Sequence, residues 1–277
     1  LLKLLASFCH VLVALGPVYA VAFPPNFQRW LDSLSSLFAA ELLALGTPLD
    51  CVTLGDFQLG DFQTRLLAWI IAPVVIAAVI HLIALCSLPW SGGCSRALLL
   101  TAARSSAPPC LLLAFLALPV VTSLACRAFV YECFDGGACY LKADYAVRVG
   151  ERHPGHTQLD WQTVTPEWEA IRRTAWFGIW LYPLGQLLVF CALLRRARPT
   201  IQAGRAEELT RVPLARALSF LHADLRPEYC YYELVGMGFK VCLVGVAALI
   251  KSGSMPQLIF GLMIALCQLI LLLVSQP

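Results

Sequence analysis

Charged residues are scarce in this chain. Lys, Arg, Asp and Glu together make up 13% of its 277 residues, and hydrophobic residues make up 59%. Soluble domains carry about 25% charged residues, and a soluble core of this length could not hide so much apolar surface. The net charge is only +3, and basic residues do not cluster with aromatic ones. These features exclude a typical nucleic-acid-binding protein.

Motifs of the common enzyme classes are also missing. The chain has no G-x-S-x-G, no H-E-x-x-H, no glycine-rich phosphate loop and no pair of acids inside an apolar run. We therefore predict a protein that is not an enzyme, with no catalytic residue, no cofactor and no metal. His10 and His81 lie in or near apolar runs and leave open a haem- or pigment-carrying subunit. Hydrogen-bonded structural histidines are the simpler interpretation.

What the chain does have is long apolar runs. A hydrocarbon core about 30 Å thick needs roughly 20 helical residues, and only helices or closed barrels satisfy the backbone in lipid. The runs are too long for barrel strands, so we predict an all-α polytopic bundle forming one transmembrane domain over 1–277. The chain starts inside a run and stops as the last run ends, which favours a fragment of a longer protein. The predicted spans are about 1–22, 66–88, 109–130, 171–194, 232–250 and 256–274.

The segments between the runs alternate in charge. Residues 23–65 hold two arginines against five acidic residues, whereas residues 195–231 hold seven arginines against four. Because basic residues favour the cytoplasmic side, we predict outer loops at 23–65 and 131–170 and inner loops at 89–108 and 195–231. Six spans then place both termini in the cytoplasm.

A shorter apolar pattern lies in the first outer loop. Leucines recur at helical spacing from Leu31 to Leu45, with Glu41 among them, and the pattern ends at Gly46-Thr47-Pro48. This stretch is too short to cross a bilayer. It predicts either an amphipathic helix in the membrane interface or a re-entrant element with Glu41 facing water.

Two charged residues in the fifth run are candidates for function. Lys240 lies about eight residues into the run, where a charge costs roughly 2.5 to 3.5 kcal/mol. Glu233 lies seven positions earlier, on the same helical face and about 10 Å away. Lys240 either extends toward the cytoplasmic end of its helix or lines an aqueous vestibule together with Glu233.

The fourth run predicts a kink. Tyr182, Pro183 and Gly185 combine a ring that blocks a backbone hydrogen bond with a residue that lacks Cβ. A fixed kink that shapes packing and a moving hinge are both compatible with this pattern.

The second outer loop contains a candidate disulfide. Cys133 and Cys139 flank Asp-Gly-Gly and can close a tight loop in an oxidising compartment. Zinc is the alternative, but a C-x5-C pair followed by His153 and His156 is poor ligand spacing.

Several short motifs resemble those of one known group. Phe134-Asp135, the run from Tyr140 to Tyr145 and the run from Leu181 to Gly185 resemble the polytopic domain of transient-receptor-potential-like surface proteins of algae, oomycetes and other protists. The resemblance continues through Leu218-Ser219-Phe220-Leu221, Arg226-Pro227-Glu228, Tyr231-Tyr232-Glu233 and Gln257-Leu258, and so covers the whole chain.

The resemblance implies a channel-like module, preceded in the full protein by cysteine-rich repeats and located in a plasma, flagellar or other surface membrane. Such proteins usually carry a cysteine where this chain has Val149, so the resemblance leaves the partner of Cys133 open, with Cys139 available. Gly236 and Phe239-Lys240 replace the usual acid and arginine pair. The alternative function is a non-conducting anchor or structural subunit. The channel and the anchor both imply contact with lipid and with other subunits, as a homo-oligomer or a larger complex.

Overall fold

The structure is a computed structural model that describes residues 12, 18–19, 23–37, 53–54, 57–58, 61–88, 96–152, 159–202, 213–223, 225–250 and 253–276. Most of these residues are helical. The helices are α1 (Pro25–Leu37), α2 (Phe62–Cys86), α3 (Arg96–Arg127), α4 (Pro166–Gln202), α5 (Pro213–Ala217), α6 (Ser219–His222), α7 (Tyr232–Leu249) and α8 (Met255–Ser275).

Five of these helices, namely α2, α3, α4, α7 and α8, are long and apolar enough to cross a membrane. The chain is therefore a multi-pass membrane protein. The first predicted span, 1–22, lies almost entirely outside the described residues. The predicted total of six spans thus stays a prediction, while five candidate spans are present.

The third span is longer than predicted. Helix α3 begins at Arg96, so the second half of the predicted inner loop 89–108 is helical, and Pro108 and Pro109 lie inside the helix rather than at its start. Contacts with α2 explain why the helix continues there: the Ser106 hydroxyl is 2.9 Å from Nδ1 of His81, and the Cys110 thiol is 3.6 Å from the Ala77 carbonyl. These contacts hold α3 against α2 where its own backbone bonding is interrupted.

The second predicted outer loop contains a sheet, which the all-α prediction omitted. Strands β3 (Tyr131–Cys133), β4 (Ala138–Leu141) and β5 (Asp144–Glu151) form an antiparallel sheet in that order. A separate short hairpin pairs β1 (Thr53–Leu54) with β2 (Phe57–Gln58). In β5, Val147 and Val149 are buried while Arg148 between them is exposed. This alternation is typical of a sheet with one covered face.

The sheet and the helix ends share one hydrophobic core, which we call the sheet-side core. The Trp168 indole of α4 donates a hydrogen bond of 3.0 Å to the Ala128 carbonyl, and the Phe62 backbone N–H donates one of 3.2 Å to the Asp144 carboxylate. The sheet is thereby fixed to α2, α3 and α4. The core residues are Phe62, Leu66 and Ile70 of α2, Ala117, Val121, Ala125 and Ala128 at the end of α3, Cys139, Leu141, Val147, Val149 and Leu159 from the outer segment, and Trp168, Ile171, Ala175 and Tyr182 of α4.

Helix α3 is the centre of the described bundle and contacts α2, α4 and α7. A second core lies toward the opposite side of the membrane, where Phe115 and Leu118 of α3 pack with α4, α6 and α7. Helix α8 is peripheral: Gln257, Gly261 and Ser275 are its buried residues, and most of its apolar side chains are exposed. That exposed surface suits contact with lipid.

Helix α1 occupies part of the segment that predicted a short amphipathic helix. It ends at Leu37, and the rest of the predicted stretch, including Glu41, lies outside the described residues.

Candidate functional site

The predicted kink in α4 is a π-helical segment. Trp180–Gln186 forms this wider turn between the α-helical parts Pro166–Ile179 and Leu187–Gln202, with Pro183 inside it. A Cβ atom added at Gly185 would lie 2.9 Å from the Trp180 carbonyl oxygen. The segment therefore needs glycine at 185, because a Cβ atom there would meet a backbone oxygen, which cannot rotate away as a side chain could.

Tyr182 fixes this segment to α2. Its hydroxyl donates a buried hydrogen bond of 2.8 Å to the carbonyl of Ile70, three residues before Pro73. Proline inside α2 weakens the local backbone bonding, and a neighbouring side chain can satisfy a carbonyl there. The Tyr182 hydroxyl thus connects the π-helical segment of α4 to the turn of α2 that precedes Pro73.

Helix α7 departs from α-helical geometry as well. After Lys240 it continues as a π-helical segment, Val241–Gly245, and then as a 3-10 turn, Val246–Leu249. A Cβ atom at Gly245 would lie 2.7 Å from Cγ2 of Thr122. Close packing against α3 therefore accompanies the irregular backbone.

Neighbouring side chains satisfy carbonyls in this part of α7. The Tyr19 hydroxyl donates to the Leu243 carbonyl at 3.1 Å, and the Gln257 amide donates to the Ala247 carbonyl at 2.9 Å. The same amide donates to the Val18 carbonyl at 2.7 Å, and its oxygen accepts from Gly253 N–H at 2.8 Å. Sequence reasoning missed Gln257, which is fully buried, because one glutamine in an apolar run does not reveal its partners.

Both π-helical segments pack against the same part of α3. Tyr182 shares a core with Val121 and Ala125, and Val244 shares one with Cys126. This part of α3 contains Pro119, and its Thr122 hydroxyl donates to the Leu118 carbonyl at 2.6 Å. We call residues 117–126 of α3 together with the two π-helical segments the hinge layer.

One polar atom in the hinge layer stands out. The side-chain nitrogen of Gln186, at the end of the π-helical segment of α4, is buried, and it has no hydrogen-bond partner among the described residues. A buried donor without an acceptor costs about 1 to 3 kcal/mol.

The two predicted intramembrane charges lie on the opposite side of the hinge layer from the sheet. Lys240 precedes the π-helical segment of α7, and its ammonium nitrogen is 5.7 Å from the centre of the buried Phe115 ring. This distance is within the range of a cation–π interaction. Glu233 lies in the first turn of α7. Both side chains are partly buried.

Two other predicted sites lie elsewhere. The disulfide is present between Cys133 and Cys139, which are directly paired residues of β3 and β4. His81 bonds to Ser106, and His10 lies outside the described residues. Among the residues that the structure describes, no group of three or more His, Cys, Asp or Glu side chains could hold a metal.

The exposed face of the sheet carries an aromatic cluster. The Phe134 ring centre is 5.9 Å from that of Tyr140 and 6.1 Å from that of Tyr145. The Tyr145 hydroxyl donates a hydrogen bond of 3.0 Å to the Glu132 carboxylate, and this bond raises the pKa of Tyr145 because it stabilises the protonated hydroxyl.

We compared the chain with protein-family models, curated proteins and solved structures, and none of the three comparisons gave a match.

Proposed function

We propose that the chain is a channel-like integral membrane module whose conformational change takes place in the hinge layer. The observation that supports this is the packing of two π-helical segments against one proline-containing part of α3. Such segments are frequent at functional sites, and membrane helices tolerate them where neighbours satisfy the freed backbone groups. The Tyr19 hydroxyl supplies such a bond to the Leu243 carbonyl of the α7 segment, and Gln257 bonds to the Ala247 carbonyl just after that segment. Tyr182, within the α4 segment, donates to the Ile70 carbonyl of α2.

The hinge layer offers a specific movement. Converting a π-helical segment to regular α-helix removes one residue from the turn, which rotates the helix beyond it by about 100° and shifts it by about 1.5 Å. Gln257 holds the end of α7 nearest α8. Rotation in α7 would therefore move Lys240 and Glu233 relative to Phe115, so the two charges would face different surroundings in the two states.

The permeation path of this proposal does not use a pore loop between the last two helices. Helix α7 ends at Leu249 and α8 begins at Met255, and the link 250–254 is too short for a re-entrant helix and filter. We propose that cations pass between helices around the axis of a homo-oligomer, in a surface membrane, with the sheet outside and both termini in the cytoplasm. The proposal includes no enzymatic step.

Single-channel recording from the purified protein in planar bilayers tests this function. We expect discrete cation currents, altered in amplitude or open probability by Lys240→Met and unchanged by Lys142→Met, which neutralises an exposed lysine beside the sheet. Protein that is folded, disulfide-bonded and electrically silent at all voltages would rule out the channel.

One observation favours the alternative, a non-conducting anchor or structural subunit. The sheet-side core joins the sheet to three membrane helices as one packed unit, which suits holding an extracellular assembly in place. Cross-linking in native membranes followed by mass spectrometry distinguishes the two functions. An anchor gives stable cross-links to different proteins, whereas a channel gives cross-links between copies of this chain.

A further inference from the structure

Helix α1 turns aromatic side chains away from the rest of the protein. Phe27 and Trp30 are 36% and 49% exposed, whereas Leu31 is 4% exposed. The Phe23 and Phe27 ring centres are 5.2 Å apart, and those of Phe27 and Trp30 are 5.5 Å apart. Residues three or four apart lie on one face of a helix. The rings of Phe27 and Trp30 on α1, with the Phe23 ring just before the helix, therefore form a continuous stripe.

The other side of α1 is polar. The Arg29 guanidinium donates to the Pro25 carbonyl and to the Asn26 side-chain oxygen, and the Ser33 hydroxyl donates to the Arg29 carbonyl at 2.9 Å. All four of these residues are exposed. A helix on a water-soluble protein would bury its aromatic stripe. In α1 the Phe27 and Trp30 rings are exposed, while Leu31, one turn after Phe27, is buried.

The neighbouring contacts give the level of α1 in the membrane. The chain approaches α1 through Val18 and Tyr19, which bond to Gln257 and to the Leu243 carbonyl. Gln257 lies in the first turn of α8, which begins at Met255. Val244 of α7 packs with Cys126, at the end of α3 that leads into β3. The chain thus approaches α1 on the sheet side of the bundle.

We propose that α1 lies in the plane of the membrane on the sheet side, with the Phe23, Phe27 and Trp30 rings inserted between phospholipid headgroups and acyl chains. Aromatic residues favour this zone, and an amphipathic helix with a polar face binds there. Exposed rings on one side and exposed polar residues on the other match the boundary between acyl chains and water, which makes lipid the occupant. For residues 25–37 the proposal favours an interfacial helix over a re-entrant one, and it does not depend on channel activity.

Site-specific photocross-linking of the full chain tests the proposal. Benzoylphenylalanine is placed at position 30, at position 27, or at position 33 as the matched control on the polar side. Each variant is reconstituted in phosphatidylcholine vesicles and irradiated, and lipid adducts are counted by mass spectrometry. Only preparations that keep the Cys133–Cys139 disulfide and elute like the unmodified protein are scored.

We expect lipid adducts from positions 30 and 27 to exceed those from position 33 several-fold. Cross-links from positions 30 and 27 to this chain or to a second protein copy would overturn the proposal, because the stripe would then be covered by protein. Equal lipid adducts from all three positions would also overturn it, since a re-entrant helix surrounded by lipid gives that result.

Discussion

The Tyr182 hydroxyl and the Ile70 carbonyl are joined by a buried hydrogen bond of 2.8 Å between α4 and α2. Tyr182 lies in the π-helical segment of α4, and Ile70 lies in α2 one turn before Pro73. This bond makes the position of the π-helical segment depend on the position of α2.

Tyr182→Phe is expected to lower the free energy of unfolding by about 1 kcal/mol, because the Ile70 carbonyl loses its donor in a buried place. The measurement is unfolding in detergent, followed by circular dichroism. Tyr145→Phe, at an exposed tyrosine of the sheet, is the control and should have a smaller effect. Equal effects of the two substitutions would contradict the structural role of the Tyr182 bond.

Gln257→Leu is expected to destabilise the protein by about 2 to 3 kcal/mol, since two carbonyls and one backbone N–H lose a buried partner. Gln268→Leu, at a partly exposed position of the same helix, is the matched control and should be nearly neutral. Thermal unfolding measures both variants. If the Gln257→Leu protein were as stable as its control, the three hydrogen bonds of Gln257 would not be needed to hold α8 in place.

Gly185→Ala is expected to destabilise by about 1 to 3 kcal/mol, because the added methyl meets the Trp180 carbonyl and the π-helical segment has to shift. Gly236→Ala, where no atom lies within 4 Å of the added Cβ, should be neutral or slightly stabilising. In bilayers, the proposal further predicts a changed open probability for Gly185→Ala alone. Identical behaviour of the two variants would argue against the hinge layer.

Replacing both Cys133 and Cys139 by Ser is expected to destabilise the protein by about 2 kcal/mol, as the chain-entropy relation gives for so short a loop. The loss should be seen first in the sheet, as faster hydrogen exchange in β3 and β4. Alkylation without reductant checks the bond itself: the unmodified protein should leave these two thiols unlabelled. Labelling of either would contradict the disulfide.

Tyr145 is expected to ionise at a higher pH than an ordinary tyrosine, because its hydroxyl donates to Glu132. The folded-state pKa of Tyr145 is therefore higher than its unfolded value, which is near 10. The bond to Glu132 contributes fully to folding stability below the unfolded pKa, and this stability is lost as pH rises through the folded pKa. The difference in ultraviolet absorbance between the unmodified protein and Tyr145→Phe measures the titration. Glu132→Gln should lower the pKa, and an unchanged titration would contradict the assigned cause.

Hydrophobicity and spacing predicted the features that depend on one segment at a time. The five candidate membrane helices, the Cys133–Cys139 disulfide and the departure from regular helix at Pro183 all have local signals: long apolar runs, two cysteines across Asp-Gly-Gly, and a proline inside a helix. These signals need no knowledge of the neighbouring helices.

Features that depend on contacts between segments could not be predicted. The continuation of α3 through Pro108 and Pro109 goes with its contacts to His81 and Ala77 of α2. The role of Gln257 is recognised only when Val18 and Ala247 lie beside it. The sheet was missed because its strands are short and their apolar residues cover helix ends rather than one another. The π-helical segment of α7 contains no proline, so its sequence gave no sign of it.

The sheet-side core also constrains the order of biosynthesis. Its residues come from α2 and α3, which are made before the sheet, and from α4, which is made after it. Cys139 and Leu141 gain their full cover only when Trp168 of α4 joins the same core. A chain truncated before Pro166 would therefore leave part of the apolar face of the sheet uncovered.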